Sequence, residues 1–274
     1  MIESLEKINL EFENNYQDIF NTPKLAQKYL NKRSDIFDGI IIDEFLKRKL
    51  EKDFAIVALG GYGRKELFPS SDIDLSIIQL NKKTKKIDDI KDFIGWLWTL
   101  NVKIGHSVRT IKDIDTITKS DLKEFTSYLS NRIIYCNKNK INYLRQDLKK
   151  ISSNWNKAKF FKAKKLEQQR RYQSFDSTEF SLEPDLKESP GCLRDFQTAL
   201  WILEHCFEIE KLEDCIRTKL FKKTEIENVK RSYGHIKSLR FILNLNGNSN
   251  RISFENQLLL AKKSKLKSSK KSSA

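Results

Sequence analysis

The sequence predicts an α+β fold in which a small mixed sheet with helices is joined to a larger α-helical part. Two apolar runs of strand length, "DFAIVALG" and "DIDLSIIQL", lie close together, and a third, "VKIGHSVRT", follows one amphipathic stretch later. From about residue 120 onward the apolar residues fall instead at helical spacing. With 274 residues, 39% of them apolar and 17 of them Phe, the chain can bury a sizeable core.

Each element has its own signal. Residues 1–50 form a helical N-terminal segment, with Thr22 in "NTPKLAQKYL" as a cap and Pro23 at the first helical position. Residues 51–118 form the α/β core: two strands, the helix "IDDIKDFIGWLWTL", then the third strand. Residues 119–260 form a helical domain carrying apolar stripes in "KAKFFKAKKLEQQRRYQSF", "GCLRDFQTALWILEHCF" and "TEIENVKRSYGHIKSLRFILNL". Residues 261–274 are a basic low-complexity tail. There is no internal repeat.

Composition excludes several classes. No window of eighteen uncharged apolar residues exists, and "MIESLEKINLEFENN" is acidic where a signal peptide is basic and then apolar, so a cytoplasmic protein without a membrane span is expected. Cys136, Cys192, Cys206 and Cys215 form no CxxC pair and are read as small core residues; His106, His205 and His235 are scattered, so no zinc site or disulfide framework is expected. The net charge of +15 invites a nucleic-acid reading. Residues 262–274 hold six lysines and no acid, however, leaving +9 for the rest, much of it lysine dispersed among glutamates as on a solvated helix face.

The chemistry concentrates in "IVALGGYGRKELFPSSDIDLSII". Gly60 and Gly61 end a buried strand, where the lack of side chains lets backbone N–H groups approach phosphate. A branched side chain at Gly61 would block that approach and bar any positive φ there. Asp72 and Asp74, at i and i+2, project from one strand face about 6 to 7 Å apart. Two hard carboxylates so placed can hold Mg²⁺. Arg64 can add a charge-assisted hydrogen bond to phosphate, and Ser71 is a further candidate nucleotide contact. A lone acid pair decorates many exposed strands and a lone glycine cluster is often only a turn; the order glycines, then acids, across two buried strands is the informative feature.

That order resembles the nucleotidyltransferase superfamily that includes DNA polymerase β. "GGYGRKELFPSSDIDL", "KIGHSVRT", "KAKKLEQQRRY" and "LEPDLKESPGCLRDFQTALWI" further resemble, in order and spacing over residues 56–260, the N-terminal nucleotidyltransferase part of the bifunctional protein-PII uridylyltransferase/uridylyl-removing family of bacterial nitrogen control. The resemblance implies a polymerase-β-like core and Mg²⁺-dependent transfer of UMP from UTP to a tyrosine of the signalling protein PII, with pyrophosphate released. It also implies that Gly60, Gly61, Asp72 and Asp74 form the nucleotide and metal site.

"EPDLKESPGCLRD" gathers charge around a turn that opens a helix, where amides favour phosphate and Lys187 and Arg194 add cations. Taken alone it reads as a capping loop with surface charge; the resemblance favours a nucleotide-contacting or domain-bridging role. His106 reads equally as a packed strand residue or a catalytic one. Three departures stand out. The strand that offers a third carboxylate in polymerase-β-like sites has Lys103 and no acid, leaving Glu183, Asp185 or Asp195 as substitutes; Cys192 replaces a usual glycine; and no His-Asp dipeptide is present, so uridylyl removal and glutamine sensing are expected to be absent. Two other readings are an RNA-terminal nucleotidyltransferase and a non-catalytic remnant that binds PII or nucleotide.

Overall fold

The computed structural model describes residues 2–175, 181–247 and 249–264. Four strands, β1 (Phe54–Ala58), β2 (Ile73–Gln79), β3 (Ile104–Thr110) and β4 (Arg132–Tyr135), form one sheet in the order β3-β2-β1-β4. All five residues of β1 are buried, as a central strand covered on both faces requires. β1 pairs antiparallel with β2, Phe54 opposite Gln79 through Ala58 opposite Leu75, whereas β2 and β3 run parallel with Asp74 opposite Gly105. The sheet is therefore mixed.

Before the sheet come α1 (Ile2–Asn14), α2 (Tyr16–Asn21) and α3 (Lys24–Lys47). Between the strands lie α4 (Gly60–Gly63), α5 (Ile87–Leu97), α6 (Ile111–Ser120) and α7 (Leu122–Leu129). The parallel pairing follows from α5, since a crossover is needed to return the chain in the same direction. After β4 come α8 (Ile141–Ile151), α9 (Lys157–Gln173), α10 (Leu193–Phe207), α11 (Asp214–Arg217), α12 (Lys223–Gly247) and α13 (Phe254–Ser264).

The period of two along the strands divides the core. Ile56, Ala58, Leu75 and Ile77 face Phe37, Ile41 and Phe45 of α3 and Phe93 of α5. Ala55, Val57 and Ile78 face Ile114, Tyr128, Leu144 and Leu148. Each such large side chain, fully buried, is worth about 1.5–3 kcal/mol. The N-terminal helices serve a second core as well: Phe12, Tyr16 and Leu30 pack with Phe68, Leu186, Leu193 and Phe241, and the rings of Phe12 and Phe241 stack at 3.8 Å. Helix α3 is thus clamped between the sheet and α12.

Several expectations are corrected. The sheet takes a fourth strand, β4, from the segment read as helical, so it extends past residue 118. Pro23 sits at the N-cap of α3, one position before the first helical residue, and Thr22 contributes its backbone carbonyl to Leu25 rather than a side-chain cap. Cys136 and Cys215 are buried, but Cys192 and Cys206 are only half-buried; all four are free thiols. Among the described residues no helix is long and apolar enough to cross a membrane. Of the basic tail, residues 261–264 belong to α13, where Lys263 pairs with Glu13 at 3.1 Å; residues 265–274 lie outside the described residues.

Candidate active site

The three glycines do not form an open loop. They make the single turn α4, closed by Gly63 N–H to Leu59 O at 2.9 Å and Arg64 N–H to Gly60 O at 3.1 Å. Gly60 alone among them has a positive φ, +54°; Gly61 does not, so the left-handed requirement falls one residue earlier than expected. A Cβ at Gly63 would lie 1.8 Å from the carbonyl oxygen of Ser130. The turn is therefore packed backbone to backbone against the chain entering β4. Arg132 of β4 locks this contact, donating to the carbonyls of Gly63 and Tyr62 and forming a bidentate pair with Asp38 at 2.5 and 3.1 Å.

Asp74 stands beside this turn. Its side chain shares the sheet face of Ser76 and Ile78, with Asp72 two residues earlier, while Ile73 and Leu75 point into the opposite core. Glycines cradle its carboxylate: a Cβ on Gly60 would come within 3.4 Å of Oδ2 and one on Gly105 within 2.7 Å of Oδ1. Gly105 was not singled out by sequence reasoning, although a glycine inside a strand signals close approach. Asp74 has ample exposed surface, yet that surface opens into a walled cavity. Burial pushes its carboxyl up, and the charge of Asp72 pushes it further, against a weaker opposing pull from Lys187.

The cavity has a volume of about 570 Å³, within the size range of small-molecule sites. All eight residues picked from sequence line it: Gly60, Gly61, Arg64, Ser71, Asp72, Asp74, Lys187 and Arg194. Among the described residues, five acids and six cationic side chains share the lining. Glu66 is held by Arg64 and Lys237, Glu167 by Lys164, and Glu188 by Arg194 and Lys187. Asp72 and Asp74, by contrast, have no side-chain hydrogen bond or ion pair among the described residues. Like charges without a protein counter-ion are the arrangement a bound cation relieves.

Among the described residues no group of three or more His, Cys, Asp or Glu is gathered for a metal. The expected third-carboxylate candidates are committed elsewhere. Asp185 accepts the backbone N–H groups of Lys187 and Glu188, each at 2.8 Å. Asp195 accepts from Tyr172, Gln168, Arg171 and the Gly191 N–H. Glu183 pairs with Arg251 and the Phe254 N–H. The two aspartates still fit Mg²⁺, which commonly takes one or two protein carboxylates and fills its remaining positions with water and phosphate oxygens.

The facing wall is built by the "EPDLKESPGCLRD" loop and α9, α10 and α12. Leu186 and Leu193 are buried, and backbone bonds from Leu193 N–H to Leu186 O and from Arg194 N–H to Lys187 O close the loop on itself. Lys187 and Arg194 are thereby held side by side. Cys192 occupies an extended conformation, φ −94° and ψ −169°, which any residue adopts; the positive φ is at Gly191. The Cβ at 192 is therefore accommodated without backbone strain.

Sequence reasoning missed much of this wall. Lys164 is 2% exposed, with its ammonium 4.5 Å from the Trp201 ring centroid, and Trp201 donates to Ser130 Oγ at 2.8 Å. Lys123, Thr126 and Arg240 also line the cavity. Arg64 reaches the cavity, but its guanidinium is engaged by Glu66 at 3.0 Å and Ser130 Oγ at 3.1 Å. His106 lies on the other side of β3 from Gly105 and packs edge-on to Trp98, away from the carboxylates.

A sequence-family model described as GlnD PII-uridylyltransferase matches residues 159–274. The chain is 33% identical over 234 residues to a bifunctional uridylyltransferase/uridylyl-removing enzyme of Haemophilus influenzae (84% of this chain, 27% of the relative). It is 34% identical over 249 residues to that of Pseudoalteromonas translucida (88% and 28%) and 34% over 242 residues to that of Hydrogenovibrio crunogenus (85% and 26%). The chain thus spans about a quarter of the length of these curated relatives.

Proposed function

Since the chain belongs, over most of its length, to the family of bifunctional uridylyltransferase/uridylyl-removing enzymes, we propose that it is a nucleotidyltransferase that moves UMP from UTP to a tyrosine of PII, releasing pyrophosphate. The observation that carries this reading is the cavity itself, in which two carboxylates that form no ion pair among the described residues stand on a glycine-cleared floor and face a cationic wall. Such a space suits a nucleoside triphosphate with a divalent cation.

Asp72 and Asp74 would hold Mg²⁺, which when bound supplies charge neutralisation at the phosphates and favours the ionised acceptor hydroxyl. Gly60 and Gly61 leave room for the phosphates to approach the backbone, and Lys187 and Arg194 offset their charge from the opposite side. The tyrosine oxygen attacks the α-phosphorus in line, so the bond to the leaving pyrophosphate breaks as the new P–O bond forms. The residues contribute position and electrostatics rather than a covalent step.

Incubation with labelled UTP, Mg²⁺ and a panel of PII proteins tests the proposal. Label on a PII tyrosine, lost in Asp74→Asn, is the expected result. Label appearing on RNA instead, or no metal-dependent turnover with any acceptor, would overturn it.

A further inference from the structure

Arg240 on α12 is buried to 7% exposure and lines the cavity, and two contacts fix its guanidinium. It lies 4.1 Å from the ring centroid of Phe68, its Nε donates to Asn250 Oδ1 at 2.8 Å, and among the described residues it forms no ion pair with an acid. Asn250 is itself held: its Oδ1 also faces the Asn244 amide at 3.4 Å, and its backbone carbonyl accepts the Leu186 N–H at 2.9 Å. The two terminal nitrogens of Arg240 have no partner among the described residues, and all three residues of this small assembly line the cavity. A rigid guanidinium with its fork left free is built to take an oxyanion bidentately.

The neighbourhood is electropositive. Lys187, Arg194 and Arg240 repel one another, the charges of Glu66 and Asp185 act favourably on Arg240, and among the described residues Glu188 is the one carboxylate in ion pairs with this cluster, at 3.8 Å from Lys187 and 3.0 Å from Arg194. Burial lowers Arg240 to about 10, which leaves it cationic at neutral pH. The groups stand on opposite sides of the cavity: Asp72 and Asp74 at the start of β2, Arg194 and Arg240 on α10 and α12 of the facing wall. If the reacting phosphorus lies at the carboxylates, the outer phosphates lie at the arginines.

We propose that Arg240, pinned by Asn250 against Phe68, anchors the β- and γ-phosphates of the nucleotide, and therefore the leaving pyrophosphate. This rests on the nucleotidyltransferase reading for its substrate but not for its test. Binding of inorganic pyrophosphate, UTP and UMP is measured by calorimetry on the full chain, with folding followed by circular dichroism. Arg240→Lys keeps the buried charge and removes the fork. It should weaken pyrophosphate and UTP binding about tenfold while UMP affinity stays within about twofold. Asn250→Ala frees the guanidinium without removing it and should give a smaller loss in the same direction.

Unchanged pyrophosphate affinity in folded Arg240→Lys, an equal loss for UMP, or no pyrophosphate binding by the wild type would overturn the assignment. Uridylyl transfer is assayed in parallel. Selective loss of pyrophosphate binding in a chain that transfers nothing would remove the proposed reaction and leave the anchor standing.

Discussion

The two walls of the cavity are made in different ways. The acidic wall comes from one contiguous stretch, residues 58–75, plus Gly105; sheet pairing and missing side chains set its geometry. The cationic wall is assembled from loop 181–195 and helices α9, α10 and α12, and side-chain bonds set its geometry: Arg194 to Glu188 and Gln197, Lys164 to Glu167, Asp195 to α9. One wall is rigid because its backbone has nowhere else to go. The other is rigid because most of its charges are matched. Damage to the first should therefore divide into chemical and steric effects, whereas damage to the second should couple function to stability.

The sharpest test of that contrast is Asp72→Asn and Asp74→Asn. Neither carboxylate makes a side-chain hydrogen bond or ion pair among the described residues, so each variant should fold normally and lose at least about a thousandfold in transfer rate, roughly 4 kcal/mol of transition-state stabilisation. A melting temperature well below that of the wild type would show that the acids are structural after all. Steric damage comes next. Gly63→Ala places a methyl 1.8 Å from the Ser130 carbonyl oxygen and should cost about 3 kcal/mol of stability. Gly61→Ala, whose nearest neighbour would be 3.7 Å away, should cost less than about 1 kcal/mol. Denaturant midpoints of the two variants check the difference, and similar values would mean that the turn is not packed as described.

Charge matching is tested by pH at Glu66, which belongs to the first wall but is paired with Arg64 and with Lys237 of α12. Burial alone would raise the carboxyl of Glu66, but the charges of Arg64 and Lys237 and hydrogen bonds from Tyr233 and Arg64 bring it down from 4.5 to about 2. Because the folded value is depressed, its stabilisation is complete above pH 4.5 and is lost as pH falls toward 2. Urea unfolding over that window should show an acid-labile contribution on the order of 2–3 kcal/mol that Glu66→Gln lacks. Parallel acid limbs in the two proteins would remove Glu66 from the account. The smallest effect is expected at Cys192→Gly: with an extended backbone and no side-chain cap to lose, stability should shift by less than about 0.5 kcal/mol and transfer should be unchanged.

The same contrast decides what could be read from the sequence. β1 and β2 were legible because their apolar runs are buried and bounded by glycines and acids, and the acidic wall was legible with them because its residues are neighbours in the chain; β3, none of whose residues is fully buried, was legible as a strand-length run following one amphipathic helix. β4 was not: "RIIY" is four half-buried residues inside a helical stretch, and its pairing, shifted between Ile56 and Val57, exists only once β1 is in place. Lys164 looked solvated among the lysines of "KAKFFKAKK", and nothing local shows that Trp201 folds over it. Arg240 was a single basic residue in an apolar stripe. Its significance depends on Phe68 and Asn250 arriving from elsewhere, which no periodicity records.

The position of β4 bears on how the molecule comes to be folded at all. During synthesis β1 acquires β2 as a neighbour once residues 59–72 and the strand itself have been made, but its other edge stays open until Arg132–Tyr135 emerge, after β3, α6 and α7. That edge carries unpaired backbone groups on an entirely apolar strand, the kind of template that recruits other chains. Closure of a long loop then has to precede completion of the sheet, which slows folding. Nascent or truncated chains ending before residue 132 should consequently aggregate more than those extending through residue 135, a difference readable as a step in the soluble fraction of a nested series of C-terminal truncations.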